Sequence, residues 1–533
     1  MNRGACFAGL LMVFVSAVVA GGAWAAEAPG VSVPAPKDPA VLKAALSPIA
    51  PELVADALAT NYPVFVYGDY AGKNHALAKS SADASPPQVA VNAPLGGQSG
   101  AMFSTGMQQG ESWVFMCGVQ SLDATAMRVQ VTLDALEPGE SVWMVAPQAN
   151  RSFGPYTAAD AVEGGRWLPT VLGEEAVVML RSSAPDMPEV TITQYAHFYA
   201  DFGTQRKLPC PLHVACVEDA AFEDATKAVG ILIIPVTAGQ ALCSGALINN
   251  PDTVYFEPYF ITAEHCFPNR VNAAQVEVRW DYLAANCDGS GVPDMDSVPQ
   301  SAGRAVLARN STLDGVLLEL ESVPIGHRGR TWLGWDTGVL TADADVAGIH
   351  HPANSGTGSE PMKGALGTIQ QVGVNFSLGK YQTEVQWDEG ITKQGSSGSP
   401  LLMGDSELKV VGMLSSGTVH DCATPEQNLD YFASLREFFP EIGCYLEGDT
   451  PCAPSSGAVC PAKAAFTEDP EALAGLRAFR DQVLAANTWG RELVDAYYRA
   501  APTLARMVAA SPANRRLFAM AAQPFAAWGR NTL

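Results

Sequence analysis

The run Gly395-Ser396-Ser397-Gly398-Ser399-Pro400 sets a serine among glycines, which is what an exposed nucleophilic hydroxyl needs. Tight backbone there turns the amide hydrogens of Gly395 and Ser397 toward one point, where a carbonyl oxygen becomes an oxyanion during acyl transfer. The same small residues also compose ordinary flexible loops, so the chemical reading depends on partners. Two stand upstream. Tyr259-Phe260-Ile261-Thr262-Ala263-Glu264-His265-Cys266 is a short apolar strand running into His265, a candidate general base. Leu313-Asp314-Gly315-Val316-Leu317-Leu318 sets Asp314 immediately before a buried strand, where a carboxylate can hold the imidazole in the required tautomer. Cys243-Ser244-Gly245 closes another apolar segment. A bridge from Cys243 to Cys266 would pin the histidine loop, a stabilisation of about 3 kcal/mol in the chain-entropy model.

Positioning these groups is the work of short alternating strands separated by turn residues. Val229 to Val236, Val316 to Leu320 and Lys409 to Leu414 read as strands of a β-rich stretch from about Leu208 to Cys444. An earlier set, Val64 to Tyr67, Met127 to Leu133, Ser141 to Val145, Ala176 to Leu180 and Val190 to Tyr195, reads as a separate β-rich domain ending near Lys207. From Asp469-Pro470 onward the period changes to that of helices, with Leu473, Leu476, Phe479 and Val483 on one face and Leu493, Val494, Tyr497 and Tyr498 continuing. A small helical bundle with an apolar core explains that stripe better than a binding groove.

The order His265, Asp314, Ser397 resembles the chymotrypsin-like serine proteases and not the α/β hydrolases or subtilisins, which order the triad differently. Within that class, Cys210 to Phe438 is similar to the bacterial lysyl endopeptidases. Cys210 and Cys216, Trp332-Leu333-Gly334-Trp335-Asp336, Ile349-His350-His351-Pro352 and Val385-Gln386-Trp387 fall in that family's order. The resemblance implies a mainly β, two-barrel fold and bridges Cys210 to Cys422, Cys216 to Cys287 and Cys243 to Cys266; sequence alone leaves many pairings of six cysteines open. Gly154-Pro155-Tyr156-Thr157 and Trp167-Leu168-Pro169 resemble the family's pro-region. Ser396 stands where animal trypsins carry an aspartate that receives the freed N-terminus, so activation here cannot use that ion pair; lysyl endopeptidases also have serine there. Ile391, at the trypsin-type pocket base, offers no charge. The family's charge on a later strand carries over to Asp430, with Ser415 and Gly417 lining the substrate backbone. A register shifted by one residue would put Leu429 at the pocket instead, and the family usually has histidine at the position of Ser415.

The totals fit this reading. With 55 acidic against 32 basic residues, the formal charge of −23 argues against binding to nucleic acid, which needs clustered Lys and Arg. At 533 residues the chain holds more than one domain. Arg3, the apolar run Phe7 to Ala20 and Ala23-Trp24-Ala25 read as a signal peptide with its cleavage site, and no later window is apolar enough to span a membrane. Export permits disulfides, and all of the eleven cysteines except Cys6 lie beyond the signal. Cys444, Cys452 and Cys460 leave one tail cysteine over, open to an intermolecular bridge, a lipid or surface attachment, a pairing with Cys117 or plain burial. His350 and His351 look like a metal pair, but neighbours on a strand face opposite ways, which favours structural roles. Asp288, Asp294 and Asp296 lack the alternation of a calcium loop and read as a solvated acidic loop.

The expected organisation is therefore a signal peptide over 1–25, a β-rich pro-domain over 26–207, a serine protease domain over 208–445, a linker over 446–468 and a helical module over 469–533. The expected activity is that of a secreted, periplasmic or surface-associated endopeptidase cutting proteins or peptides after Lys, or also Arg. It needs no cofactor, metal, nucleic acid or membrane span, and the partner of the helical module is unspecified. Two rivals remain: a catalytically silent protease fold used for binding or adhesion, and a protease with an apolar primary pocket.

Overall fold

The computed structural model describes residues 27–34, 51–81, 86–95, 102–200, 212–250, 256–267, 271–354, 358–375, 380–418 and 428–447, and in the tail 472, 476, 516, 518–520, 522–525 and 527. The signal segment, the junction with Arg206 and Lys207, the pair Cys210 and Cys422, and most of the helical tail lie outside the described residues. The chain forms two compact units, one comprising Glu27–Phe438 with Leu446–Gly448, the other Met1–Ala26, Phe439–Tyr445 and Asp449–Leu533.

In the first unit the alternating runs become strands at the expected places. We label β1 (Gln88–Pro94), β2 (Ala126–Val131), β3 (Ile192–Phe198), β4 (Val229–Val236), β5 (Gly239–Leu247), β6 (Tyr259–Thr262), β7 (Glu277–Trp280), β8 (Gln300–Asn310) and β9 (Gly315–Leu320). The second half contributes β10 (Asp345–His350), β11 (Lys363–Asn375), β12 (Lys380–Gly390), β13 (Pro400–Met403), β14 (Lys409–Gly417) and β15 (Leu429–Ser434). Strands β5-β4-β7-β8-β9-β6 pair in that order and β6 returns to β5, closing a six-stranded barrel. A second barrel closes through β14-β13-β10-β11-β12-β15 and back to β14. Closure leaves no free edges, and the inward side chains fill each interior. In the second barrel, Val346, Ile369, Val385, Trp387, Leu401, Val411 and Phe432 pack as one buried cluster.

The region expected to be a separate N-terminal domain shares a sheet with the first barrel. β2, β3 and β1 run in order onto β5, where Gly239 and Gln240 face Val91 and Ala90. Buried charge crosses the same seam. Glu277 accepts from both the amide and the hydroxyl of Thr170, while Arg279 Nε lies 2.5 Å from its other oxygen. Arg128 reaches Gln240 and the carbonyls of Leu168 and Gln275. Burial pulls Arg128 down to about 10, partly offset by the nearby Glu277 carboxylate. Farther upstream, Glu27–Ala28 pairs with Trp335–Asp336 and Val31–Val33 with Arg330–Trp332. A separate six-stranded sheet collects Val64–Tyr67, Met107–Gln109, Ser112–Ser121, Ser141–Ala146, Arg151–Tyr156 and Glu175–Ser182.

One expectation needs correcting. Asp296 does not belong to a solvated loop: it is buried, and its carboxylate accepts from the Leu172 amide. Cys117, whose pairing the sequence left open, is buried as a free thiol, pushed up to about 12 by burial, and Cys444 is disulfide-bonded. In the second unit, Ala472 and Ala522 are buried together against Leu476, Phe518 and Ala519. Among the described residues no helix is long and apolar enough to cross a membrane.

Candidate active site

Histidine and aspartate come from neighbouring strands of the first barrel. β6 is apolar and, past Tyr259, fully buried; it delivers the chain into a short turn, Glu264–Cys266. The bridge from Cys243 at the middle of β5 to Cys266 ties that turn to the adjacent strand. Asp314 sits just before β9 with φ of +66°, a left-handed conformation that aspartate tolerates better than most residues. This bend carries its carboxylate under the histidine. Oδ1 accepts from the His265 amide at 2.8 Å, and Oδ2 lies 2.9 Å from His265 Nδ1.

The second barrel supplies a third donor. Ser415 on β14 donates to Asp314 Oδ2 at 2.5 Å. Burial would push the Asp314 carboxyl up, but the hydrogen bonds from His265 and Ser415 and the facing imidazole outweigh it and bring it down to about 2. A carboxylate held ionised can only accept, so Nδ1 carries a hydrogen, which fixes the tautomer of a neutral imidazole with its lone pair on Nε2. The Asp314 side chain is 2% exposed and that of His265 is 25% exposed, so the imidazole opens toward solvent from an enclosed anchor.

Ser397 lies on the loop entering β13. The sulfur of Cys266, next to His265, is 3.9 Å from the Ser397 carbonyl oxygen, so the segments bearing His265 and Ser397 meet. Gly395 and Gly398 have φ of +81° and +82°, where a side chain is strained. There is no room for one either: a Cβ on Gly395 would stand 2.5 Å from that of Ala353, and one on Gly398 would collide with the Ser244 carbonyl and the Thr262 hydroxyl.

Asp430 faces inward on β15, beside Gly417 of β14 and Val385 of β12. Its side chain is buried, and Oδ2 accepts from Trp387 Nε1 and Thr392 Oγ1, each at 2.6 Å. Alternation leaves its neighbour Leu429 partly exposed. Ile391 is buried one residue before Thr392. Cys216 is bonded to Cys287. His350 and His351 diverge as neighbours on a strand must: His350 Nδ1 meets Ser396 Oγ at 2.8 Å, while the His351 ring stacks on Tyr282. Sequence reasoning missed the roles of Ser244, Thr392 and Trp387 as hydrogen-bonding groups. The one signal for Ser244 was a hydroxyl inside a strand that, apart from Gln240, is made of buried small and apolar residues.

Two six-stranded barrels, with a His-Asp pair on one and a glycine-flanked serine on the other, define the chymotrypsin-like serine protease class. Within it, residues 205–433 match the model of the lysyl endopeptidase C-terminal domain. The lysyl endopeptidase of Pseudomonas aeruginosa is 28% identical over 300 residues, an alignment covering 52% of this chain and 63% of that protein, less than two thirds of its length. Among solved structures, the thermostable serine protease AL20 from an extremophilic microorganism matches 40% of this chain and 92% of its own; at 13% identity and a TM-score of 0.27 it adds nothing to the assignment.

Proposed function

We propose that the chain is an exported serine endopeptidase that cuts proteins or peptides after Lys. The observation that carries this reading is the buried, ionised Asp314 holding both the amide and the ring of His265, beside the loop that bears Ser397. A fold kept only for binding or adhesion has no need of that arrangement. In the reaction, His265 Nε2 takes the proton from Ser397 Oγ as the oxygen attacks the scissile carbonyl, and the new oxyanion is received by the amides of Gly395 and Ser397. The imidazolium, stabilised by Asp314, then gives its proton to the departing amine. Water repeats the sequence on the acyl-enzyme and frees Ser397.

The preference for Lys rests on Asp430, a buried carboxylate beside Gly417 and close to the segment that leads to the nucleophile. Ser415 and Gly417 are assigned to the substrate backbone. Residues 1–25 act as the signal for export and 26–207 as a pro-domain released after a cut at Lys207. No cofactor enters this chemistry.

The test is labelling with a serine-directed phosphonate followed by profiling of a peptide library. Modification of Ser397 and cleavage after Lys are expected. A processed protein that leaves Ser397 unlabelled would put the binding reading ahead, and a profile peaking at Phe or Leu would favour an apolar pocket.

A further inference from the structure

The loop that offers Gly395 and Ser397 as oxyanion donors is fixed one peptide plane at a time. The Gln394 carbonyl accepts from the Ala353 amide at 2.6 Å. Because carbonyl and amide point opposite ways across a trans peptide, this turns the Gly395 N–H the other way, toward the site. The Gly395 carbonyl accepts from the Ser244 hydroxyl at 2.9 Å. The Ser396 carbonyl accepts from the Ser399 amide at 3.0 Å, which sets the Ser397 N–H, and the Ser397 carbonyl accepts from the Ser244 amide at 2.8 Å. Four consecutive carbonyls are thus held, two of them by one residue of β5.

Three of these bonds come from main chain, and only one is made by a side chain. Ser244 is fully buried; its hydroxyl accepts from the His351 amide at 2.9 Å, and of the two carbonyls its hydrogen can reach, that of Gly395 at 2.9 Å is nearer than that of His351 at 3.4 Å. The end of β10 completes the frame: His350 Nδ1 meets Ser396 Oγ at 2.8 Å, and that oxygen also accepts from the Lys393 amide at 3.1 Å. Ser396 is itself fully buried.

We propose that Ser244 is a positioning residue for the oxyanion site: its hydroxyl, together with the His350–Ala353 segment, orders the Gly395–Ser397 loop. Ser244 does not touch substrate; it acts through the Gly395 peptide. This inference rests on the serine endopeptidase reading above.

The experiment compares wild type with Ser244→Ala, Ser244→Thr and Ser244→Val, measuring kcat and KM on a Lys peptide amide per phosphonate-titrated site. Loss of the hydroxyl is expected to lower kcat about tenfold or more while KM changes less than about twofold, since the loop stabilises the transition state and not the bound ground state. Ser244→Thr, which keeps a hydroxyl, is expected to restore most of kcat, and Ser244→Val, of the same size as Thr, is not. Wild-type kcat per titrated site in both Ser244→Ala and Ser244→Val overturns the proposal, as does failure of both to fold, which would make the hydroxyl a folding element. Wild type that neither labels nor cleaves would instead sink the underlying reading.

Discussion

Replacing Asp430 by Asn removes one charge and little else. The new amide oxygen can still accept from Trp387 Nε1 and Thr392 Oγ1, the two donors now 2.6 Å from the carboxylate, so the wall of the site should keep its shape. What disappears is attraction for a substrate ammonium. With Asp430 buried, an ammonium about 4 Å away gains roughly 4 kcal/mol at an effective dielectric constant of about 20. Lost from the transition-state complex, that is about a thousandfold in kcat/KM. The assay uses two peptides that differ only in Lys or Met before the scissile bond, run on wild type and Asp430→Asn of matched melting temperature. A loss of about a thousandfold for the Lys peptide, with the Met peptide changed only a few-fold, is expected. Equal losses for both peptides would mean that the substitution damages the scaffold, and an unchanged Lys rate would mean that the carboxylate does not face the substrate.

Two further outcomes follow from the seam between the N-terminal region and the first barrel. Glu277→Ala, made in a Ser397→Ala background to prevent self-digestion, leaves Arg279 and Arg128 buried beside a missing carboxylate; a loss of about 3–5 kcal/mol is expected in denaturant unfolding, and a loss below about 1 kcal/mol would refute the role given to this cluster. For maturation, N-terminal sequencing should find wild type beginning at Leu208 and Ser397→Ala still uncut, because a Lys-directed enzyme can cut after Lys207 itself; equal processing of both would assign the cut to another protease.

Much of the site was legible because its signals are local. A glycine-flanked serine, an apolar strand ending in His265-Cys266 and an aspartate before an apolar strand each carry their meaning within a few residues. The strands themselves were legible for the same reason: Val229 to Val236 is read and found with the same bounds, since alternation and β-branching act within the segment.

What only the tertiary structure decided concerns groups that meet across long stretches of chain. Ser415 lies 101 residues from the Asp314 it donates to, Ser244 lies 151 residues from Gly395, and Thr392 lies 38 residues from Asp430. A period of two says that alternate residues share a face, but not which strand will lie opposite; that depends on the closure of each barrel. Nothing in Asp288, Asp294 and Asp296 marked the third as the one that would be buried under Leu172. Likewise, β1 is an ordinary alternating run until β5 is placed beside it, and only then do a region read as separate and the protease barrel become one sheet. Local sequence determines what each segment can be, and the pairing of distant segments decides which of its side chains are brought to work together.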